Sequence, residues 1–265
     1  MNRPEPPAIP DVQSHPDARE LAIDRVGIRN LRYPIRFVDG DDPPQPTIAL
    51  CSAYVALPAD RKGTHMSRLV AAIDELPEPL ALPKLPDVLD ALLARLEADA
   101  GRIDIAFPWF IRKSAPVTGV QSMMDYEVRL VADAAPGARG IEATIVVPVM
   151  SLCPSSKAIA DYGAHNQRSH LTLTVRPRPD AAISLAELIA LAEEEASCGL
   201  YGLLKRADEK FVTERAYDRP RFVEDLVRGI AARLVDDARL VGFSVAAENF
   251  ESIHNHSAYA EIVRG

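Results

Sequence analysis

Apolar and polar residues alternate from Arg25 to Val38 and again from Thr47 to Leu57, with a turn-forming run from Asp39 to Pro46 between them. Period-two alternation puts successive side chains on opposite faces of a strand, so these stretches predict a long hairpin. The period then changes. From His65 to Leu76 and from Leu85 to Ala98 apolar residues recur at helical spacing, with Pro83 and Pro86 punctuating the gap, which predicts two helices. Alternation returns from Arg102 to Ile111 and from Tyr126 to Ala132, across a loop that contains Pro116 and Gly119. The second half repeats the order: strands near Ile141 to Val149 and His170 to Val175, helices near Leu185 to Ala196 and Arg221 to Leu234, strands near Arg239 to Ala246 and Ala258 to Val263.

Two ββααββ units in succession, with helices between hairpins and not between single strands, favour an α+β fold of antiparallel sheets backed by helices over a doubly wound parallel sheet. Residues 1–20 hold Pro4, Pro6, Pro7, Pro10 and Pro16 and little apolar material, so they are expected to form a disordered or extended tail. The first unit then spans 21–135 and the second 136–265.

Composition narrows the function classes. With 48% hydrophobic and 26% charged residues, the chain can bury a sizeable core. A formal net charge of -8 speaks against nucleic acid or an anionic membrane as partner. No apolar run of spanning length and no signal pattern at the start are present, so a cytoplasmic location is expected. Cys51, Cys153 and Cys198 lie far apart and cannot all pair, which suits thiols or a metal ligand better than a disulfide framework.

Three polar islands interrupt the pattern: Lys62 to Arg68, Leu152 to His170, and Glu248 to His256, and they hold five of the six histidines. Cys153 and His165 offer a soft thiolate and an imidazole, a pair suited to zinc or another divalent first-row metal. The competing reading is a small buried cysteine and an unrelated surface histidine. His254 and His256 would share one strand face with Ser252 and Phe250, Glu251 facing the other way, or else all would belong to a solvated hairpin loop. Lys62, His65 and Arg68 form a basic mouth at a helix start, a natural phosphate seat, although Thr64 is also a good N-cap. The run Glu193 to Glu195 reads as a solvated helix face. Glu214 falls just before a helix expected to start at Pro220.

These islands, together with Leu203-Leu-Lys-Arg and Asp208-Glu-Lys-Phe-Val-Thr-Glu-Arg-Ala-Tyr, resemble the type IB GTP cyclohydrolase family from about Asp11 to Tyr259. The resemblance implies a tunnelling fold, whose ββααββ unit occurs twice per chain, assembled as a homotetramer. It also implies hydrolysis of GTP to formate and 7,8-dihydroneopterin triphosphate, on the way to pterins and folate, with a divalent metal (zinc, manganese or iron) activating water. On that basis Cys153 and His165 match metal ligands, and Glu214 matches the carboxylate that anchors the guanine edge. Ser155, Glu251, His254 and His256 fall at catalytic positions, while Lys62, His65, Arg68 and Arg168 join Glu214 in holding substrate. Two positions depart from the family pattern: Ser155 stands where it has a second cysteine, and Gly199 where it has a metal-holding glutamate. Cys198, Glu195 or water would then have to complete the metal shell. The alternatives are a relative that binds a purine or pterin nucleotide without turnover, and one that hydrolyses a related substrate.

Overall fold

The computed structural model describes residues 11, 13, 15–179 and 181–265. The first unit contains β1 (Ile23–Phe37), β2 (Gln45–Leu57), α1 (Met66–Asp74), α2 (Leu85–Leu96), β3 (Gly101–Ser114) and β4 (Gln121–Ala135). The second contains β5 (Ala138–Leu152), α3 (Pro154–Ile159), β6 (Asn166–Pro177), α4 (Leu185–Glu195), β7 (Cys198–Gly199), α5 (Arg206–Asp218), α6 (Val223–Leu234), β8 (Leu240–Phe250) and β9 (Ser257–Arg264). All pairings between these strands are antiparallel, in the order β1-β2-β3-β4-β5-β6-β8-β9, with the short β7 also on β5. The expected α+β architecture is therefore present, with ββααββ order in the first unit and with α3, β7 and α5 added to that order in the second, the two joined into one sheet through β4 and β5.

Alternation decides which face is covered. Along β5, Ala143, Ile145, Val147 and Val149 are fully buried, whereas Thr144, Val146 and Pro148 between them are half-exposed. The buried set meets the helices. α2 contributes Leu85, Leu89, Leu92, Leu93 and Leu96, and α6 contributes Val223, Leu226, Val227, Ile230 and Leu234, the stripes expected of helices lying on a sheet. Each such side chain stabilises the fold by about 1.5–3 kcal/mol on burial. Phe37 anchors the first unit, its ring centroid 4.8 Å from Phe107 and 5.8 Å from Trp109. The helix-free face is polar, carrying Arg129 bonded to Asp104 and Thr144 bonded to Thr174 at 2.9 Å. No described helix is long and apolar enough to cross a membrane.

Several elements differ from expectation. The strands run longer than the alternation alone marked. Two helices, α3 and α5, were not expected: α3 has six residues, too few for a period, and α5 buries only Val212 and Ala216 as apolar residues. What holds α5 is Asp208, whose buried carboxylate accepts N–H bonds from Lys205, Val117 and Thr118 at 2.9 Å each and the Thr118 hydroxyl at 2.6 Å. Desolvation pushes the Asp208 carboxyl upward in pKa, but these hydrogen bonds outweigh it and hold it well below the usual carboxylate range. α6 starts at Val223 and not at Pro220: Phe222 is its N-cap in an extended conformation, and the Arg221 N–H before it bonds the Leu152 carbonyl at 3.0 Å. α1 is entered through His65; Thr64 is not its N-cap. Of the expected tail, residues 1–10, 12 and 14 lie outside the described residues, while Gln13, His15 and Asp17 hydrogen-bond to residues 60–64.

Candidate functional site

β5 ends beside the start of β6. Their register closes at Leu152 and Asn166, and one step further the Cys153 N–H donates to the His165 carbonyl at 3.1 Å. Thiol and imidazole thus leave neighbouring points at the mouth of this hairpin. Cys153 is the N-cap of α3, its Sγ accepting the Ser156 N–H at 3.4 Å, while the Ser156 hydroxyl receives the His165 N–H at 3.2 Å. The other two cysteines are interior: burial pushes the Cys51 thiol up to about 11 and raises that of Cys198. Cys153 is the accessible thiol.

The third island reaches the same place. Residues 251–256 form the loop between β8 and β9, and Ser252 Oγ lies 3.3 Å from His165 Nδ1. His254 and His256 are therefore on an exposed loop and not on a strand; their rings stack at 5.1 Å and 7°. The reason is that β8 ends at Phe250, whose ring packs edge-on against His170 at 4.8 Å. Glu251 opens the loop, half-buried. Arg168 is exposed on β6, two residues before His170 on the same face. Burial, then the Arg168 charge, lowers the pKa of His170. Ser155 lies exposed in α3.

Glu214 proves to be a helical residue, exposed on α5 and paired with Lys210 one turn earlier. α5 comes close to the hairpin mouth because Lys157 of α3 bonds the Tyr217 carbonyl and lies 4.1 Å above the Tyr217 ring. Tyr217 is three residues beyond Glu214, so the two share a helix face.

The first island lies elsewhere. It follows the C-terminal end of β2, and β5 runs antiparallel to β2, so the two islands occupy opposite ends of the strands. There Arg61, Gly63, Thr64, His65, Arg68 and Glu97 line a cavity of about 240 Å³. Carboxylates already temper the charge: Asp11 lies 3.3 Å from His65 and Glu97 lies 4.0 Å from Arg68. Lys62 is exposed beside it. Among the described residues, no hydrogen bond or ion pair joins this island to the other two.

The donor set suits a divalent metal in type but is short in number. Among the described residues no group of three His, Cys, Asp or Glu could hold a metal ion, so Cys153 and His165 are two donors without a third. At Gly199, which pairs with Val149, a Cβ would lie 3.0 Å from the Glu193 carboxylate and 3.1 Å from Lys113 Nζ. Glu193 is thus not the solvated residue its helix run suggested. It forms a 2.5 Å ion pair with Lys113, both side chains over four-fifths buried, and Lys113 also donates to the Leu200 carbonyl at 2.5 Å. Glu195 pairs with Arg233 at 3.6 Å, and Cys198 is fully buried. Sequence reasoning missed Lys113 entirely, because the expected strand ended at Ile111 whereas β3 runs on to Ser114.

Comparison with known proteins adds a family. Residues 9–260 match the model described as type I GTP cyclohydrolase folE2. The chain is 54% identical over 265 residues to a protein named GTP cyclohydrolase FolE2 from Paraburkholderia xenovorans, covering 100% of this chain and 98% of that one. It is 52% identical over 265 residues, with the same coverage, to the protein of that name from Burkholderia multivorans. A protein named GTP cyclohydrolase FolE2 2 from Cupriavidus metallidurans is 56% identical over 254 residues, 96% of this chain and 94% of that one. Among solved structures, uricase from Arthrobacter globiformis is similar at a TM-score of 0.49 and 8% identity, over 91% of this chain and 93% of that one.

Proposed function

We propose, from the premise that this chain belongs to the type I GTP cyclohydrolase folE2 family, that it is a GTP cyclohydrolase. The reaction is hydrolysis of GTP to formate and 7,8-dihydroneopterin triphosphate in folate biosynthesis, of the metal-dependent type IB that its motifs resemble. The observation that carries the reading is the convergence of two polar islands at one hairpin mouth, where Cys153 and His165 are joined through the backbone and Ser252 touches His165.

Cys153 and His165 would hold a divalent metal, with water or substrate taking the remaining positions. When bound, the metal supplies a water acidified enough to attack carbon at neutral pH. The chain's own groups do the rest. Glu214, on the helix face that Tyr217 brings to α3, accepts the paired donors of the guanine edge. His254 and His256, stacked on the adjacent loop, give and take protons as the ring opens. Ser155, in the first turn of α3, offers a hydroxyl where a thiol would ionise more readily, so it serves as a hydrogen-bond donor and not as an anion. The basic mouth at Lys62, His65 and Arg68 suits the triphosphate, and Arg168 adds a cation beside the hairpin. Because that mouth and Cys153 lie at opposite strand ends, the complete site requires a second copy of the chain, and a homotetramer is the assembly we favour. A second reading, nucleotide binding without turnover, is favoured by the lack of a third metal donor among the described residues.

Purified protein, stripped of metal and resupplied with zinc or manganese, is expected to release formate and form a fluorescent oxidised pterin from GTP. In the same assay Glu214→Gln should weaken GTP binding by about 1–3 kcal/mol, since an amide cannot accept both guanine bonds. Folded protein that binds GTP but releases no formate with either metal favours the second reading. Unchanged GTP affinity in Glu214→Gln removes the anchor role.

A further inference from the structure

Behind His165, a row of buried polar residues crosses three strands at a level where alternation would otherwise place apolar side chains. Ser151, Gln167, Ser169 and Asn249 are 0%, 7%, 0% and 3% exposed. They lie on the helix side of β5, β6 and β8, and hydrogen bonds link them in the order Gln167, Ser151, Ser169, Asn249. A buried polar chain is costly when unsatisfied, and among the described residues no buried side-chain polar atom lacks a partner.

The bonding takes its direction from Asn249, whose Oδ1 faces Ser169, because each hydroxyl has one hydrogen to give. Ser169 Oγ donates to Asn249 Oδ1 at 2.7 Å. Its hydrogen being used, Ser169 accepts from Ser151 across their 2.8 Å contact. Ser151 has then used its own hydrogen, so it accepts from Gln167 Nε2 at 2.7 Å. The amide of Gln167 is thereby oriented, and its Oε1, an acceptor only, faces His165 Nδ1 at 3.1 Å. Nδ1 must carry the hydrogen. The Ser252 hydroxyl, 3.3 Å from the same nitrogen, shares it as a second acceptor.

We infer that Gln167, oriented by the Ser151–Ser169–Asn249 chain, is a positioning residue that locks neutral His165 as the Nδ1–H tautomer and leaves Nε2 with its lone pair free. A ring nitrogen prepared in this way is a ready metal ligand or proton acceptor. The tautomer follows from the hydrogen bonds together with the amide orientations of Asn249 and Gln167; only its use by a metal rests on the reading of His165 as a site residue.

The test is the intact protein labelled with 15N-histidine, at about pH 8.5 where an ordinary imidazole is neutral, read by long-range 1H–15N correlation with His165→Gln to identify the signals. His165 is expected to show a protonated Nδ1 and a bare Nε2. The opposite pattern in the unsubstituted protein overturns the inference without any need for a variant. Gln167→Glu keeps an acceptor at Nδ1 and should keep the tautomer, whereas Gln167→Leu should shift it toward a mixture. Ser169→Ala, a milder change at the far end of the chain, frees Ser151 to turn its hydrogen toward Gln167 and should also mix the tautomers. Unchanged tautomers in both folded variants overturn the inference. Zinc alone, titrated against a chromophoric chelator, should bind about 10–100-fold more weakly to Gln167→Leu than to Gln167→Glu. If the tautomer shifts while zinc affinity does not, the positioning role stands and the metal-ligand reading of His165 falls.

Discussion

An added methyl group at Gly199 would meet a carboxylate that cannot easily retreat, because Glu193 is held by Lys113 and touched by the Tyr126 hydroxyl at 3.3 Å. Lys113 is fixed in turn, 4.2 Å over the Tyr201 ring. Overpacking a tight interior typically costs about 1–3 kcal/mol, and Gly199→Ala is expected to lose that much in denaturant unfolding. Glu193→Ala in the same chain should recover part of the loss, giving a non-zero coupling in a double-mutant cycle. Equal losses with and without Glu193 would show that the ion pair is not what fills the space. The pair also bears on the missing family glutamate: a longer side chain at 199 has nowhere to grow until Glu193 or Lys113 moves. Neither partner was legible in the sequence as part of this neighbourhood, since Lys113 is 80 residues from Glu193.

At the scale of elements, the helices that the sequence marked are those whose own apolar stripe is wide. α2 and α6 bury five and six residues and were visible by period. α5 was not, because a distant loop caps it through Asp208 and its apolar stripe is narrow. A second long-range cap joins the two units. Asp39, in the β1–β2 loop, is buried and accepts the Ser184 hydroxyl at 2.8 Å and the N–H groups of Leu185 and Ala186 at 3.1 and 3.0 Å. Its charge stands at the positive end of α4. Asp39→Ala strands three donors in the interior and is expected to cost about 1–3 kcal/mol, more than the loss of Ser184 as N-cap in Ser184→Ala, for which the N-cap series spans about 0.5–2 kcal/mol. Equal midpoints for the two variants in chemical denaturation would mean that water replaces Asp39. In the sequence Asp39 was only a turn residue.

For the whole molecule, β1 and β9 each have one strand neighbour only, among the described residues, and the outer edge of β1 is otherwise met by the bridge between Phe37 and Leu80. Unpaired edges invite another chain. Light scattering is expected to give a mass that is a multiple of 28.9 kDa. If the site is shared between copies, two variants each impaired at sub-saturating GTP, Glu214→Gln and Arg68→Ala, should regain turnover when mixed after dissociation. A monomer, or mixed variants that stay inactive, would confine the site to one chain.

What the sequence determined by itself is local in origin: the alternation that makes strands, the helical stripes, the duplicated ββααββ order, and the islands where polar residues replace patterned ones. A GTP cyclohydrolase family followed from those islands as well, since long motifs in order survive without any knowledge of contacts. Tertiary structure alone decided which islands meet. Antiparallel pairing sends the end of β2 to one end of the sheet and the ends of β5 and β8 to the other. It also decided that Glu193 faces Gly199, that Asp39 and Asp208 cap distant segments, and that four polar residues from three strands orient one imidazole. Those pairings depend on register and twist between strands far apart in the chain, and a periodicity confined to one segment carries no information about either.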